Sequence, residues 1–174
     1  MAGSLIKIQE EIVTSAVASV TLTGIDSTYD VYMVKMNNVT PTADTNFEMR
    51  VLASDVVQTT ANYDKAMKVL RTDTAFSNSA NTNQTSITVN GGSNIGTDTG
   101  EQFNGVQYLF NFNNASEYSF FTNETNFLNG TAIMLGTQGG GVYTVAEAHN
   151  GVQYYFSTGN IEAGTFTLYG LKKS

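Results

Sequence analysis

Hydrophobic and polar residues alternate with a period of two along most of this chain, the spacing that puts successive side chains on opposite faces of a β-strand. In residues 16–25, Val17, Ser19, Thr21, Thr23 and Ile25 fall on one face and Ala18, Val20 and Leu22 on the other. Residues 29–36 are almost continuously apolar, as in a strand covered on both sides. Phe47, Met49 and Val51 alternate with Glu48 and Arg50, which predicts one wet face. Residues 86–89 read as a short strand ended by Asn90-Gly91-Gly92. Stronger strands are predicted over 106–112, 118–121, 132–135, 152–156 and 166–171. Asn104-Gly105, Asn129-Gly130, Gly139-Gly140-Gly141, Asn150-Gly151 and Gly159-Asn160 supply turn chemistry between them. The expectation is an all-β chain, folded as an antiparallel β-sandwich of jelly-roll type.

Residues 62–70 admit two readings. A short helix would place Tyr63, Met67 and Leu70 on one face with Asp64 beside Lys68. A strand would alternate Ala66, Lys68 and Leu70 against Met67, Val69 and Arg71, and the neighbouring strands favour it. Residues 73–83 and 91–102 are rich in Ser, Thr, Asn and Gly and are expected to be long surface loops. Asn104-Gly105-Val106-Gln107-Tyr108-Leu109-Phe110 recurs as Asn150-Gly151-Val152-Gln153-Tyr154-Tyr155-Phe156. Each copy puts its Val, Tyr and Phe on one face while Gln points away. Two copies do not make a stacked repeat architecture, so this reads as equivalent strands of two packed sheets. A weaker echo links residues 20–25 with 166–171, as facing or adjacent strands near the chain ends.

Composition narrows the function. The 174 residues suffice for one domain that needs no metal or disulfide staple. Residues 13–174 are expected to form the sandwich. Residues 1–12, apolar at Leu5, Ile6, Ile8 and Ile12, read as an N-terminal arm or an edge strand. Only 13% of residues are charged, against roughly 25% in ordinary globular chains, so uncharged Thr, Ser, Asn, Gln and Gly must cover the surface. Eight basic against 15 acidic residues give a net charge of −7, which argues against nucleic acid or anionic lipid as a partner. The absence of Cys removes thiolate chemistry and disulfides, and the single His149 removes any two-histidine metal site. The N-terminal segment lacks the features of a secretory signal, and no apolar run approaches the ~20 residues of a membrane span. A soluble protein made in a cytosol is expected. In so Asn- and Thr-rich a chain, the Asn-x-Ser/Thr triplets at Asn38, Asn83, Asn114, Asn123 and Asn129 are expected by chance.

Candidate chemistry is sparse. His149 and Glu147 would share a strand face, but no nucleophile motif accompanies any Ser, so a polar turn residue is expected. Paired carboxylates for glycoside hydrolysis are available, as in any acidic sandwich, while Trp, the usual sugar-stacking residue, is absent. Asp98-Thr99-Gly100-Glu101 offers oxygen ligands without the full spacing of a calcium loop. Gly139-Gly140-Gly141 lacks the Lys-Ser/Thr of a phosphate cradle and reads as a tight or bulged loop. No catalytic residue, cofactor or metal ligand is assigned. Phe120-Phe121 and Tyr154-Tyr155-Phe156 must place aromatics on both faces of their sheets, so an outer face needs cover from another surface. Phe121 and Tyr155 are the candidate contacts there, with Leu5, Ile6 and Ile8 on the arm.

The run from Ser15 through Val20-Thr21-Leu22-Thr23-Gly24-Ile25, followed by Tyr29, resembles the opening of a family of small tailed-phage virion proteins. The ending, Phe156-Ser157-Thr158-Gly159-Asn160 through Phe166-Thr167-Leu168-Tyr169-Gly170-Leu171, is similar to their close, and Glu101 before Asn104-Gly105 is a further likeness. The resemblance implies a β-sandwich on the outside of a virion, assembled in the host cytoplasm. The role it implies is a capsid decoration (cement) protein contacting the major capsid protein, as a homo-oligomer. A trimer would match the threefold positions of a shell. A receptor- or glycan-binding module of a head or tail fibre is the alternative, and a surface-polysaccharide hydrolase a third. The resemblance carries no catalytic residues.

Overall fold

The computed structural model describes residues 4–171. Thirteen strands run through them, and no helix: β1 Leu5–Val13, β2 Ser19–Thr23, β3 Val31–Pro41, β4 Phe47–Ala53, β5 Val56–Val57, β6 Tyr63–Arg71, β7 Ser77–Gln84, β8 Ile87–Thr88, β9 Phe103–Phe110, β10 Ser119–Leu128, β11 Met134–Tyr143, β12 Gly151–Phe156 and β13 Ile161–Leu171. Eight of them form one antiparallel sheet in the order β1-β13-β3-β9-β10-β11-β6-β7. The second sheet runs β2-β12-β4-β5, with β8 also on β4. The two pack face to face as a sandwich, with more strands than the eight of a minimal jelly roll.

Alternation builds the core as expected. Phe47 on β4 lies at its centre, with ring centroids 4.8 Å from Phe156, 5.0 Å from Phe103, 5.7 Å from Tyr154 and 6.2 Å from Phe166. Such aromatic pairs contribute about 0.5–1.5 kcal/mol each beyond their buried area. Val20 and Leu22 of β2 and Phe166 and Leu168 of β13 enter this core from opposite sheets, so the weaker echo joins facing strands. Residues 62–70 are indeed strand: Tyr63, Lys65, Met67 and Val69 of β6 point inward and Ala66, Lys68 and Leu70 outward.

A polar chain also crosses the core. Tyr154 Oη donates to Gln107 Oε1 (2.5 Å), Gln107 Nε2 to Asn123 Oδ1 (3.0 Å), and Asn123 Nδ2 to Thr137 Oγ1 (2.8 Å) and the Val89 carbonyl (2.9 Å). Each group finds a partner, which is what makes burial of the two amides tolerable.

Four expectations change. Residues 73–83 are not a long loop, since Ser77–Gln84 forms the edge strand β7 on β6. Its exposed side chains are hydroxyl, amide and methyl groups, with no apolar alternation to announce a strand. Asn104-Gly105 lies within β9 and Gly151 opens β12 rather than closing a turn. A Cβ on Gly151 would meet the Leu22 carbonyl oxygen at 2.5 Å, so close strand packing is its reason. Gly139-Gly140-Gly141 is neither a tight nor a bulged loop but the middle of β11. Finally, the two copies of the longer repeat face opposite ways. Val152, Tyr154 and Phe156 point into the core, whereas Val106, Tyr108 and Phe110 point out and Gln107 in.

Leu5–Val13 forms a strand at the edge of the large sheet, paired with β13. The first three residues of that segment lie outside the described residues.

Candidate functional site

Register fixes what the outer face of the eight-stranded sheet presents, because cross-strand partners share a face. At one end Leu5 pairs with Leu171, Phe110 stands between Val31 and Phe120, and Phe120 pairs with Val142. Beside this apolar row runs a second, in which Tyr169 pairs with Met33, Met33 with Tyr108, Tyr108 with Thr122 and Thr122 with Gly140. The third row is charged, carrying Glu10, Lys35, Glu124 and Lys68 on alternate or nearby strands. Glu10 lies 3.2 Å from Lys7 Nζ, and that hydrogen bond, with another from Thr167, holds its carboxyl below the usual range. Aromatic bulk on an outer face marks a surface that other protein covers more often than it marks chemistry.

The apolar rows end in a groove of about 490 Å³. Gly140, Ala66, Phe110, Phe120 and Val142 line it, together with Asn81 and Thr82 of β7. The three glycines of β11 are required by its neighbours. A Cβ on Gly139 would fall 2.3 Å from the Ala66 carbonyl oxygen, and one on Gly140 2.4 Å from that of Phe121. On the inner face, a Cβ on Gly141 would meet the Phe121 ring at 2.5 Å. The glycine run therefore lets Phe121 pack inward and leaves the outer surface hollow beside Phe120.

The candidate contacts separate accordingly. Leu5 (50% exposed) and Ile6 (40%) stand on edge strand β1. Ile8 is half-buried and packs toward the core, against Gly24. Phe121, placed on an outer face by the run Phe120-Phe121, is 4% exposed and belongs to the core; Phe120, at 46%, is the outward ring. Tyr155 does face outward, on the smaller sheet, but Arg50 covers it with its guanidinium 4.6 Å from the ring centre. Its cover is thus largely intramolecular, and burial raises its phenol pKa.

His149 has partners that spacing did not announce. Its Nδ1 lies 2.7 Å from Ser119 Oγ and its Nε2 3.4 Å from Glu147 Oε1. Acid, imidazole and hydroxyl thus stand in the order of a hydrolytic triad, with the ring reversed so that Nδ1 meets the hydroxyl. Ser119 is 1% exposed and His149 fully buried between Phe112 and Tyr143, so no substrate atom reaches the hydroxyl in this arrangement. Burial holds the imidazole pKa below its ordinary value, an effect that Glu147 only partly offsets. The cluster is a buried polar pin between the start of β10 and the segment before β12.

In the acidic loop, the Glu101 carboxylate accepts the Asp98 backbone N–H at 2.9 Å and fills the space beside Gly96, so it ties its own loop together. Among the described residues no group of three or more His, Asp or Glu could hold a metal ion, and no helix is long and apolar enough to cross a membrane. No protein-family model matches the chain, and no curated protein matches it in sequence. The outer face of the large sheet, with its groove, is the candidate functional surface.

Proposed function

We propose that this chain is a non-enzymatic structural protein of a tailed-phage virion: a capsid decoration protein that binds the outside of the shell and stabilises joints between major capsid subunits. The observation that carries this reading is the aromatic and aliphatic band across the outer face of the large sheet, from Leu5 to Val142. Such a band on a sandwich whose core is already complete needs cover from other protein. The sparse charge of the surface supports the same reading, because uncharged neighbours pack without desolvating ions. Modest contacts repeated over a shell add up to a large effect. The resemblance at both chain ends supplies the virion context.

The test is addition of purified protein to shells assembled without it. Stoichiometric co-sedimentation and a raised temperature of shell disruption are expected. Failure to bind would refute the decoration role. A second reading, a glycan-binding fibre module, draws on the groove, whose lining combines Phe110 and Phe120 with Asn81 and Thr82 of β7. Binding to cell-surface glycans without binding to shells would select it.

A further inference from the structure

The outer face of the eight-stranded sheet is antisymmetric about β9 in both charge and bulk. One strand to either side of β9 stand Lys35 on β3 and Glu124 on β10, both in register with Val106. Three strands to either side, in the same row, stand Glu10 on β1 and Lys68 on β6. Two strands to either side, in the row of Tyr108, stand bulky Tyr169 on β13 and bare Gly140 on β11. In the fourth row, Ile12 on β1 (64% exposed) mirrors Leu70 on β6 (44%). A half-turn about an axis lying along β9, in the plane of the face, therefore lays these groups over their complements in a second copy, and sets Lys7 over Ala66 and Leu5 over Asp64 at the ends of their rows.

We propose that two copies of this chain pair through these faces as a two-fold dimer, an inference that rests on reading the face as an assembly surface. Glu10 then meets Lys68 of the other copy and Lys35 meets Glu124, each pair occurring twice. Tyr169 enters the groove over Gly140, with Lys7 beside it over Ala66, and Ile12 covers Leu70. Tyr108 and Phe110 meet their own counterparts on the axis. The contact is isologous, one self-complementary patch used by both partners. Seven strands and four rows overlap, about 30 by 20 Å at ordinary strand spacings. That footprint is comparable with the ~800 Å² per partner of a standard interface. The face itself thus specifies a pair, whereas a threefold grouping draws only on shell symmetry.

Sedimentation equilibrium of the full chain from about 1 to 100 µM should show a dimer. Glu10→Lys and Lys68→Glu should each weaken it about tenfold or more, because each sets like charges together twice. Mixing the two variants one to one should restore pairing, since a mixed pair has opposite charges at both contacts. Within one chain these residues stand six strands, roughly 29 Å, apart, so rescue can arise only between copies. Ala66→Trp, at an exposed position, should block the groove and abolish the dimer while leaving the melting temperature of dilute protein unchanged. A monomer throughout the series, a dimer indifferent to these variants, or no rescue on mixing would overturn the pairing. A monomer that still binds shells would overturn the pairing alone, and a dimer that ignores shells would overturn the decoration role alone.

Discussion

Truncating Phe121 and Phe120 to alanine, one at a time, should split folding stability from association. Phe121 is 4% exposed, and its ring fills the space above Gly141, where even a methyl group would fall 2.5 Å from Cζ. Glycine cannot fill the cavity left behind, so Phe121→Ala should cost about 3–5 kcal/mol, the usual price of emptying a core aromatic site. In a domain of this size each kcal/mol lowers the melting temperature by roughly 2–4 °C. A fall of about 6–20 °C is expected, out of a total stability of only about 5–15 kcal/mol. Phe120 is 46% exposed, and its truncation should change the stability of the dilute monomer by less than about 1 kcal/mol. The same change should weaken self-association about tenfold or more, as loss of a central aromatic contact does. Thermal unfolding followed by circular dichroism at sub-micromolar concentration, beside sedimentation at high concentration, reads both quantities. Equal destabilisation by the two variants, or a larger loss from Phe120→Ala, would refute the assignment of faces.

Three further perturbations test the interior. Tyr154→Phe removes the hydroxyl that donates to Gln107 Oε1 and should cost about 1–3 kcal/mol in denaturant unfolding; an unchanged midpoint would mean that the polar chain contributes nothing. Because burial depresses the His149 pKa in the folded state, the unfolded chain binds the extra proton first. Stability from this group should therefore be complete above its unfolded pKa of about 6.5 and fall as pH drops toward the folded value, by up to about 1.4 kcal/mol per pH unit. Burial raises the Glu48 pKa and acts in the opposite direction above about pH 4.5, so the difference between wild type and His149→Gln is the quantity to measure. Parallel pH curves would contradict it. Gly139→Ala would drive a methyl group into the Ala66 carbonyl and should cost more than about 2 kcal/mol in the same unfolding assay, or prevent folding; near-wild-type stability would show that β11 and β6 are not held in this register.

Much of the fold was legible because strand alternation is a local signal. Phe47, Met49 and Val51 and the repeat from Val152 to Phe156 announce inward faces, and inward they point. Alternation does not say which of two faces is the inner one when both are partly apolar. Val106, Tyr108 and Phe110 look more like core than Gly105, Gln107 and Leu109, yet the second set is buried. Gln107 goes inside because Tyr154 and Asn123, far along the chain, satisfy its amide, and no local pattern encodes that. The reversed repeat is also what leaves aromatic rings on the outer face. Phe120 and Phe121 were legible as a pair needing two environments, but choosing between them required Gly141 beneath one ring. Strand β7 escaped because its backbone pairing to β6 holds it without apolar side chains. Ser119, on β10, is invisible as a partner of His149 until the two sheets close.

The central claim is that the outer face of the large sheet is a joint between protein molecules. Under the proposed decoration role, a cryo-electron-microscopy reconstruction of shells to which this chain has been added addresses it most directly. The account predicts repeated copies at fixed positions outside the shell, with Tyr108, Phe110 and Phe120 covered by protein. Particles lacking the chain, or carrying it with those rings open to solvent, would contradict it.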